Sequence, residues 1–85
     1  MIQQTVVRNS KAGLYARSIR KLVEVASCFQ SEIYLTYNGR KVNLKSIMGV
    51  LSLAIPKRAE ITLEVFGKDE KEALEQVMET FESLD

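Results

Sequence analysis

The sequence predicts a single α+β domain, residues 1–85, in which a four-stranded sheet is covered on one face by three helices. Four short segments alternate apolar and polar residues, as strands do. Two longer segments and a shorter one have the three- and four-residue spacing of amphipathic helices. The order is βαββαβα. A chain of 85 residues, 46% of them hydrophobic, buries only a modest core.

The first half of the chain contains a strand, a helix and a hairpin. The elements are a strand over residues 2–8, a helix over 16–27, a strand over 32–37 and a return strand over 40–44. A polar loop over 9–13 joins the first two. The pair Asn38-Gly39 predicts a tight turn between the last two strands, because both residue types tolerate positive φ.

The second half contains a short helix, a strand and a long helix. The short helix runs from Ser46 to about Leu53, and the last strand runs over residues 60–65 and ends at Gly67. The pair Asp69 and Glu72 resembles a capping box at the start of the last helix. The predicted core is Ile19, Leu22, Val23, Ile33, Leu35, Val42, Ile61, Leu63, Val65, Leu74, Val77 and Phe81.

Composition excludes several classes of function. A net charge of +1 argues against a general nucleic-acid binder. One cysteine and no histidine argue against a disulfide framework or a zinc site, so we expect no metal and no cofactor. Cys28 is interpreted as a half-buried small residue. No apolar run approaches the ~20 residues of a membrane span, and a cytoplasmic protein without membrane contact is expected.

The segment Gly13-Leu14-Tyr15-Ala16-Arg17 lies just before the first helix. Free amides and the dipole at a helix N-terminus favour an anion. Arg17 can hold phosphate oxygens with its planar guanidinium, and Arg20 adds positive charge. Tyr15 is either a solvent-facing aromatic or a partner contact, and partner contact is slightly favoured.

The segment around Ser46 has a second possible role. Ser46 is a candidate N-cap for the short helix. Ile47, Met48 and Leu51 follow at spacings that place them together, and so short a helix cannot bury all of them. An exposed apolar patch on a small domain often marks a partner site.

Both segments resemble those of the HPr family, the histidine-containing phosphocarriers of the bacterial sugar phosphotransferase system. That family reads Gly-Leu/Ile-His-Ala-Arg-Pro in the first segment, whereas this chain has Tyr15 and Ser18 at the histidine and proline positions. Residues 43–49 match the family's regulatory serine segment. The resemblance implies an open-faced β-sandwich with an antiparallel sheet. It also implies that the carrier chemistry is lost, because a tyrosine phosphate is too stable an ester to pass on.

The resemblance further implies a regulatory role without catalysis. Ser46 would be phosphorylated by HPr kinase/phosphorylase, and the phosphoprotein would bind a LacI-type catabolite control protein as corepressor. A family paralogue active in catabolite repression also lacks the histidine. The expected phosphate contact is Arg17. The expected partner-binding residues are Tyr15, Arg17, Arg20, Ile47, Met48 and Leu51.

Two other functions stay open from the sequence. One is a phosphocarrier with altered acceptor chemistry, and the other is an HPr-fold interaction module outside carbon control, in which Ser46 serves only as a cap. Without the resemblance, the pattern also fits other small ferredoxin-like modules.

Overall fold

The structure is a computed structural model that describes residues 1–9 and 13–84 and has the predicted order of elements. The strands are β1 (Ile2–Asn9), β2 (Glu32–Tyr37), β3 (Arg40–Asn43) and β4 (Arg58–Phe66). The helices are α1 (Ala16–Ala26), α2 (Ile47–Leu51) and α3 (Glu70–Ser83). Residues 10–12 of the predicted polar loop lie outside the described residues, so that part of the prediction stays a prediction.

The four strands form one antiparallel sheet in the order β1-β4-β2-β3. The central strand β4 alternates as predicted: Ile61, Leu63 and Val65 are completely buried under the helices, while the side chains between them face outward. Leu63 lies opposite Leu35 of β2. Helices cover only one face of the sheet, so the predicted α+β open-faced β-sandwich is confirmed.

The hairpin between β2 and β3 turns at the predicted dipeptide. Asn38 has a φ of 52° and Gly39 a φ of 80°, and both lie in the left-handed region that asparagine and glycine tolerate best. The turn sets Leu35 opposite Val42. This register continues the apolar face of the sheet from β4 out to its edge.

Two members of the predicted core are half-buried instead of buried. Val42 lies on the edge strand β3, which the helix layer covers incompletely. Leu74 lies at the side of α3, because Ala73, Val77 and Phe81 take the positions that face the sheet. The buried apolar residues that the predicted core omitted lie mostly in loops and at element ends: Leu14, Ala26, Leu44, Val50, Leu53, Ile55, Ala59, Ala73 and Leu84.

The prediction for Cys28 was wrong. Helix α1 ends at Ala26, one residue earlier than predicted, and the turn that follows leaves Cys28 exposed. Its thiol donates to the carbonyl oxygen of Glu24 at 3.3 Å. Phe29, further along the same turn, is partly buried and packs against the core.

The predicted capping box of α3 was also wrong. Asp69 is the N-cap residue, but its side chain makes no capping hydrogen bond. Its carboxylate instead accepts from the backbone amides of Gln30 and Ser31, each at 3.0 Å, and from the hydroxyl of Ser31. Glu70, and not Glu72, reaches back, accepting from the amide of Gly67 at 3.2 Å. The donors from residues 30 and 31 lie far from Asp69 in the sequence, so the local capping-box pattern could not predict these hydrogen bonds.

Gly67 allows the junction between β4 and α3 to pack closely against Ser31. Its φ is 149°, and a Cβ built there would lie 2.7 Å from the Cα of Ser31. Any larger residue would push the start of β2 away from the β4–α3 junction. Ser31 is 1% exposed, so its hydroxyl needs the partner that Asp69 provides.

Acid should weaken this junction. The hydrogen bond from the Ser31 hydroxyl, then that from the Gln30 amide, hold the pKa of the Asp69 carboxyl below its ordinary value. A lowered folded-state pKa contributes stability above the unfolded pKa, and this stability is lost as pH falls through the folded pKa. Asp69→Asn should therefore lower the free energy of unfolding at neutral pH. The difference from the wild-type protein should shrink as pH falls through the lowered pKa.

Urea unfolding at a series of pH values measures this difference. Glu79→Gln is the matched control, because it removes an exposed carboxylate from α3 and should leave stability nearly unchanged at every pH. A deficit in Asp69→Asn that stays constant down to low pH would contradict the assignment of the stabilising charge to Asp69.

Candidate functional site

Tyr15 lies at the N-cap position of α1 and does not cap it. Its backbone is extended, with φ −105° and ψ 173°, and its carbonyl accepts the first helical bond from the Ile19 amide at 2.9 Å. The phenol makes no capping bond, and the side chain is 68% exposed. Ser18 lies in the first turn, so the helix starts at Ala16 as predicted even without a proline.

The segment before Tyr15 is held in place by the loop that follows α2. Leu14 is buried, and its amide donates to the carbonyl oxygen of Ile55 at 3.0 Å. A Cβ on Gly13 would lie 3.0 Å from the same oxygen, tighter than nearly all real contacts. Glycine therefore allows the two backbones to approach, and the approach holds Tyr15 beside the loop that follows α2.

This approach creates a shallow groove between α1 and the loop after α2. Its volume is about 660 Å³, and it is lined by Gly13, Leu14, Tyr15, Ala16, Leu51, Ala54, Ile55, Pro56 and Lys57. Most of the lining residues are apolar, and Tyr15 and Lys57 are the two with polar side chains. The sequence analysis did not identify the groove, because its second wall is an irregular loop with no periodic pattern.

Ser46 caps α2, as predicted. Its hydroxyl oxygen accepts from the amide of Gly49 at 3.1 Å, and its own amide donates to the carbonyl of Asn43 at 3.0 Å. Lys45, the residue before it, extends its ammonium to the carbonyl oxygen of Phe29 at 2.7 Å. The serine is exposed at the surface.

The apolar patch, defined as Ile47, Met48 and Leu51, is exposed as predicted. Met48 is 76% exposed, and the other two are 36% and 38% exposed. Only Val50 of the five-residue helix α2 is buried. Because methionine adapts its shape easily, Met48 suits a surface that must fit a partner.

The structure brings some of the predicted site residues together and leaves others apart. Tyr15 and Leu51 line the same groove, so the two segments meet at one surface. Arg17, Arg20, Ile47 and Met48 lie outside the groove, and all four are exposed.

The start of α1 is positively charged and uncompensated. Its first turn contains no acidic residue. Within residues 1–9 and 13–84, Arg17 has no hydrogen-bond or ion-pair partner. Its guanidinium is therefore available to an anion or to a partner's carboxylate.

Neither a metal site nor a membrane span is found in the part of the chain that the structure describes. No group of three or more potential metal ligands occurs there. No helix among those residues has the length and apolarity needed to cross a bilayer.

Comparison with known proteins gives one consistent family. The family described as "PTS HPr component phosphorylation site" matches residues 2–83. The crystal structure of HPr-C-His from Thermoanaerobacter tengcongensis is 37% identical, with a TM-score of 0.91 over 98% of this chain and 93% of that one. The phosphocarrier protein HPr from Bacillus anthracis is 39% identical, with a TM-score of 0.87 over 93% of this chain and 94% of that one.

A third similar structure is that of Crh, the catabolite repression containing protein of Bacillus subtilis. It is 44% identical over 100% of both chains, with a TM-score of 0.77. The structure is described as a dimer with a swapping domain.

The groove contains a strained residue. Ala54 has a φ of 49°, in the left-handed region that costs an L-residue about 1–2 kcal/mol. Its side chain is exposed, so little packing would be lost with it. We expect Ala54→Gly to raise the free energy of unfolding by about 0.5–1 kcal/mol.

Urea or thermal unfolding measures this gain. Ala59→Gly is the control, because Ala59 is buried in β4 and a strand glycine should destabilise the protein. Loss of stability in both variants would show that Ala54 is not strained.

Proposed function

The chain belongs to the HPr family, and on that basis we propose that it is a non-catalytic regulatory protein of carbon catabolite control in the cytoplasm. In this proposal, phosphorylation of Ser46 by HPr kinase/phosphorylase switches the protein on. The phosphoprotein then acts as corepressor for a LacI-type catabolite control protein. One observation carries the proposal: the chain has no histidine, yet it keeps an exposed serine beside an exposed apolar patch.

Members of the family are phosphocarriers, and the position of Tyr15 is where their carrier chemistry would occur. A phenol is mostly protonated at pH 7 and so is a poor nucleophile. Its phosphate is an ordinary ester, which does not hand its phosphoryl group on. The exposed phenol at the edge of the groove instead offers flat apolar area and a hydroxyl, which suits a partner contact.

The proposed switch adds charge beside the patch. The Ser46 oxygen attacks the γ-phosphorus of ATP, ADP leaves, and the hydroxyl proton passes to a base of the kinase. The product carries about −1.5 to −2 charges at pH 7 and three strong acceptor oxygens. Arginine or lysine side chains of the partner would bind these oxygens, while Met48 and its neighbours supply apolar contact.

Arg17 and Arg20 complete the proposed surface. Arg17 has no partner among the described residues, so it can contact the phosphate or a carboxylate of the regulator without breaking an existing bond. In this proposal Arg20, three residues further along α1, contacts the regulator at the edge of the surface together with Tyr15. The similarity to Crh supports the proposed role in carbon catabolite control, because that relative is described as a catabolite repression protein.

The test is a titration of phosphorylated and unphosphorylated protein against the catabolite control protein. Phosphorylation should tighten binding by at least about tenfold, or about 1.4 kcal/mol. Ser46→Ala should remove this gain. Met48→Asp should weaken binding even when Ser46 is phosphorylated, and Arg17→Ala should weaken it without loss of folding, because Arg17 is exposed.

Val7→Asp is the matched control for Met48→Asp. Val7 is also an exposed apolar residue, 66% accessible, but it lies on β1, away from α2. It should leave affinity unchanged. Equal affinity of the two phosphorylation states would reject the switch and leave Ser46 as a helix cap alone.

A further inference from the structure

Helix α2 is too short to be stable by itself. It has five residues, whereas isolated helices shorter than ~12–15 residues are marginal in water. The last carbonyls of any helix also lack partners within it. Ser46 stabilises the amino-terminal end. At the carboxyl-terminal end, where Leu51 lies, backbone amides bond the carbonyls of Met48, Val50 and Leu51. The carbonyls of Gly49 and Ser52 are bonded by side chains and so gain their support from outside the backbone.

Arg40 supplies that support from the hairpin. It is the first residue of β3, and its Nη1 donates to the carbonyl oxygen of Ser52 at 3.1 Å. Its Nη2 donates to the hydroxyl oxygen of Ser52 at 3.3 Å. That hydroxyl donates in turn to the carbonyl of Gly49 at 2.6 Å. We call these three hydrogen bonds the Arg40 clamp.

The clamp holds the carboxyl-terminal end of α2, which lines the groove. Leu51 is the one residue of the apolar patch that also lines the groove, and it directly precedes Ser52. The amide of Ala54 then donates to the carbonyl of Leu51 at 3.2 Å, so the turn is continuous with the strained loop. Loss of the clamp would free this turn and, with it, the position of Leu51.

The two ends of α2 are held by different contacts. The Ser46 hydroxyl bonds the Gly49 amide, and no bond of Ser46 involves Arg40. The Ser46 hydroxyl and the carboxyl-terminal turn therefore meet at Gly49 but share no hydrogen bond. A change at the carboxyl-terminal end should leave Ser46 as it is.

We propose that Arg40 is a positioning residue that holds the carboxyl-terminal turn of α2, and thereby Leu51, in the conformation that the regulator binds. The partner-binding part rests on the function proposed above. Arg40 makes no contact with the phosphate in this scheme. It affects docking and not phosphorylation.

Amide hydrogen exchange and binding together test the proposal. In Arg40→Gln the amides of Ser52, Leu53 and Ala54 should exchange at least about tenfold faster, because local opening becomes easier. The amides of Gly49 and Val50 should change little. The Kd of the phosphorylated protein for the catabolite control protein should rise about tenfold, while the rate of phosphorylation of Ser46 by the kinase stays the same.

Two further variants distinguish the effect of the clamp's hydrogen bonds from the effect of the positive charge of Arg40. Arg40→Lys keeps the charge but not the forked geometry, so it should restore protection and affinity only in part. Lys41→Gln removes an equal charge from the next residue, whose ammonium pairs with Glu64 at 3.5 Å and not with α2. It should change neither exchange nor affinity.

The outcomes distinguish this inference from the proposed function. Unchanged exchange in Arg40→Gln, or equal loss of affinity in Lys41→Gln, overturns the role of Arg40 while the switch can still hold. A wild-type phosphoprotein that does not bind the regulator rejects the proposed function instead. In that case the exchange data alone still decide whether Arg40 holds the turn.

Discussion

The candidate partner surface depends on one backbone contact, the hydrogen bond from the amide of Leu14 to the carbonyl of Ile55. It requires glycine at position 13, since a Cβ there would lie 3.0 Å from the same carbonyl oxygen. The contact joins the start of α1 to the loop after α2, two segments some forty residues apart in the chain. The contact brings Tyr15 and Leu51 to one groove, and it thereby joins the segment around Tyr15 to the helix that Ser46 caps.

Sequence reasoning succeeded where the determinant is local. The alternation in β4 correctly predicted which of its side chains are buried. Asn38-Gly39 correctly predicted the hairpin turn, because both residues accept positive φ. The cap at Ser46 was predictable because the hydroxyl and the amide it accepts are three residues apart. The exposure of the apolar patch was predictable because the helix is short, although the structure ends it at Leu51 and not near Leu53 as predicted.

The failures involve partners that are distant in sequence. Asp69 was predicted to cap its own helix. Its carboxylate oxygens instead accept hydrogen bonds from the amides of Gln30 and Ser31. Arg40 was placed in a return strand with no other role, because nothing local links it to Ser52. The groove was missed for the same reason. Of the candidate site, the exposed residues were predictable, whereas the contacts that hold them in place were not.

In the proposed function, this HPr-fold protein receives phosphate at Ser46 from ATP and does not relay it from phosphoenolpyruvate. The most direct measurement is intact mass with site mapping after two parallel incubations, one with HPr kinase and ATP, the other with the first general enzyme and phosphoenolpyruvate. We expect one phosphate on Ser46 in the first incubation and none in the second. Phosphate transferred to Tyr15 from phosphoenolpyruvate, or an unmodified Ser46 after incubation with the kinase, would contradict the proposed function.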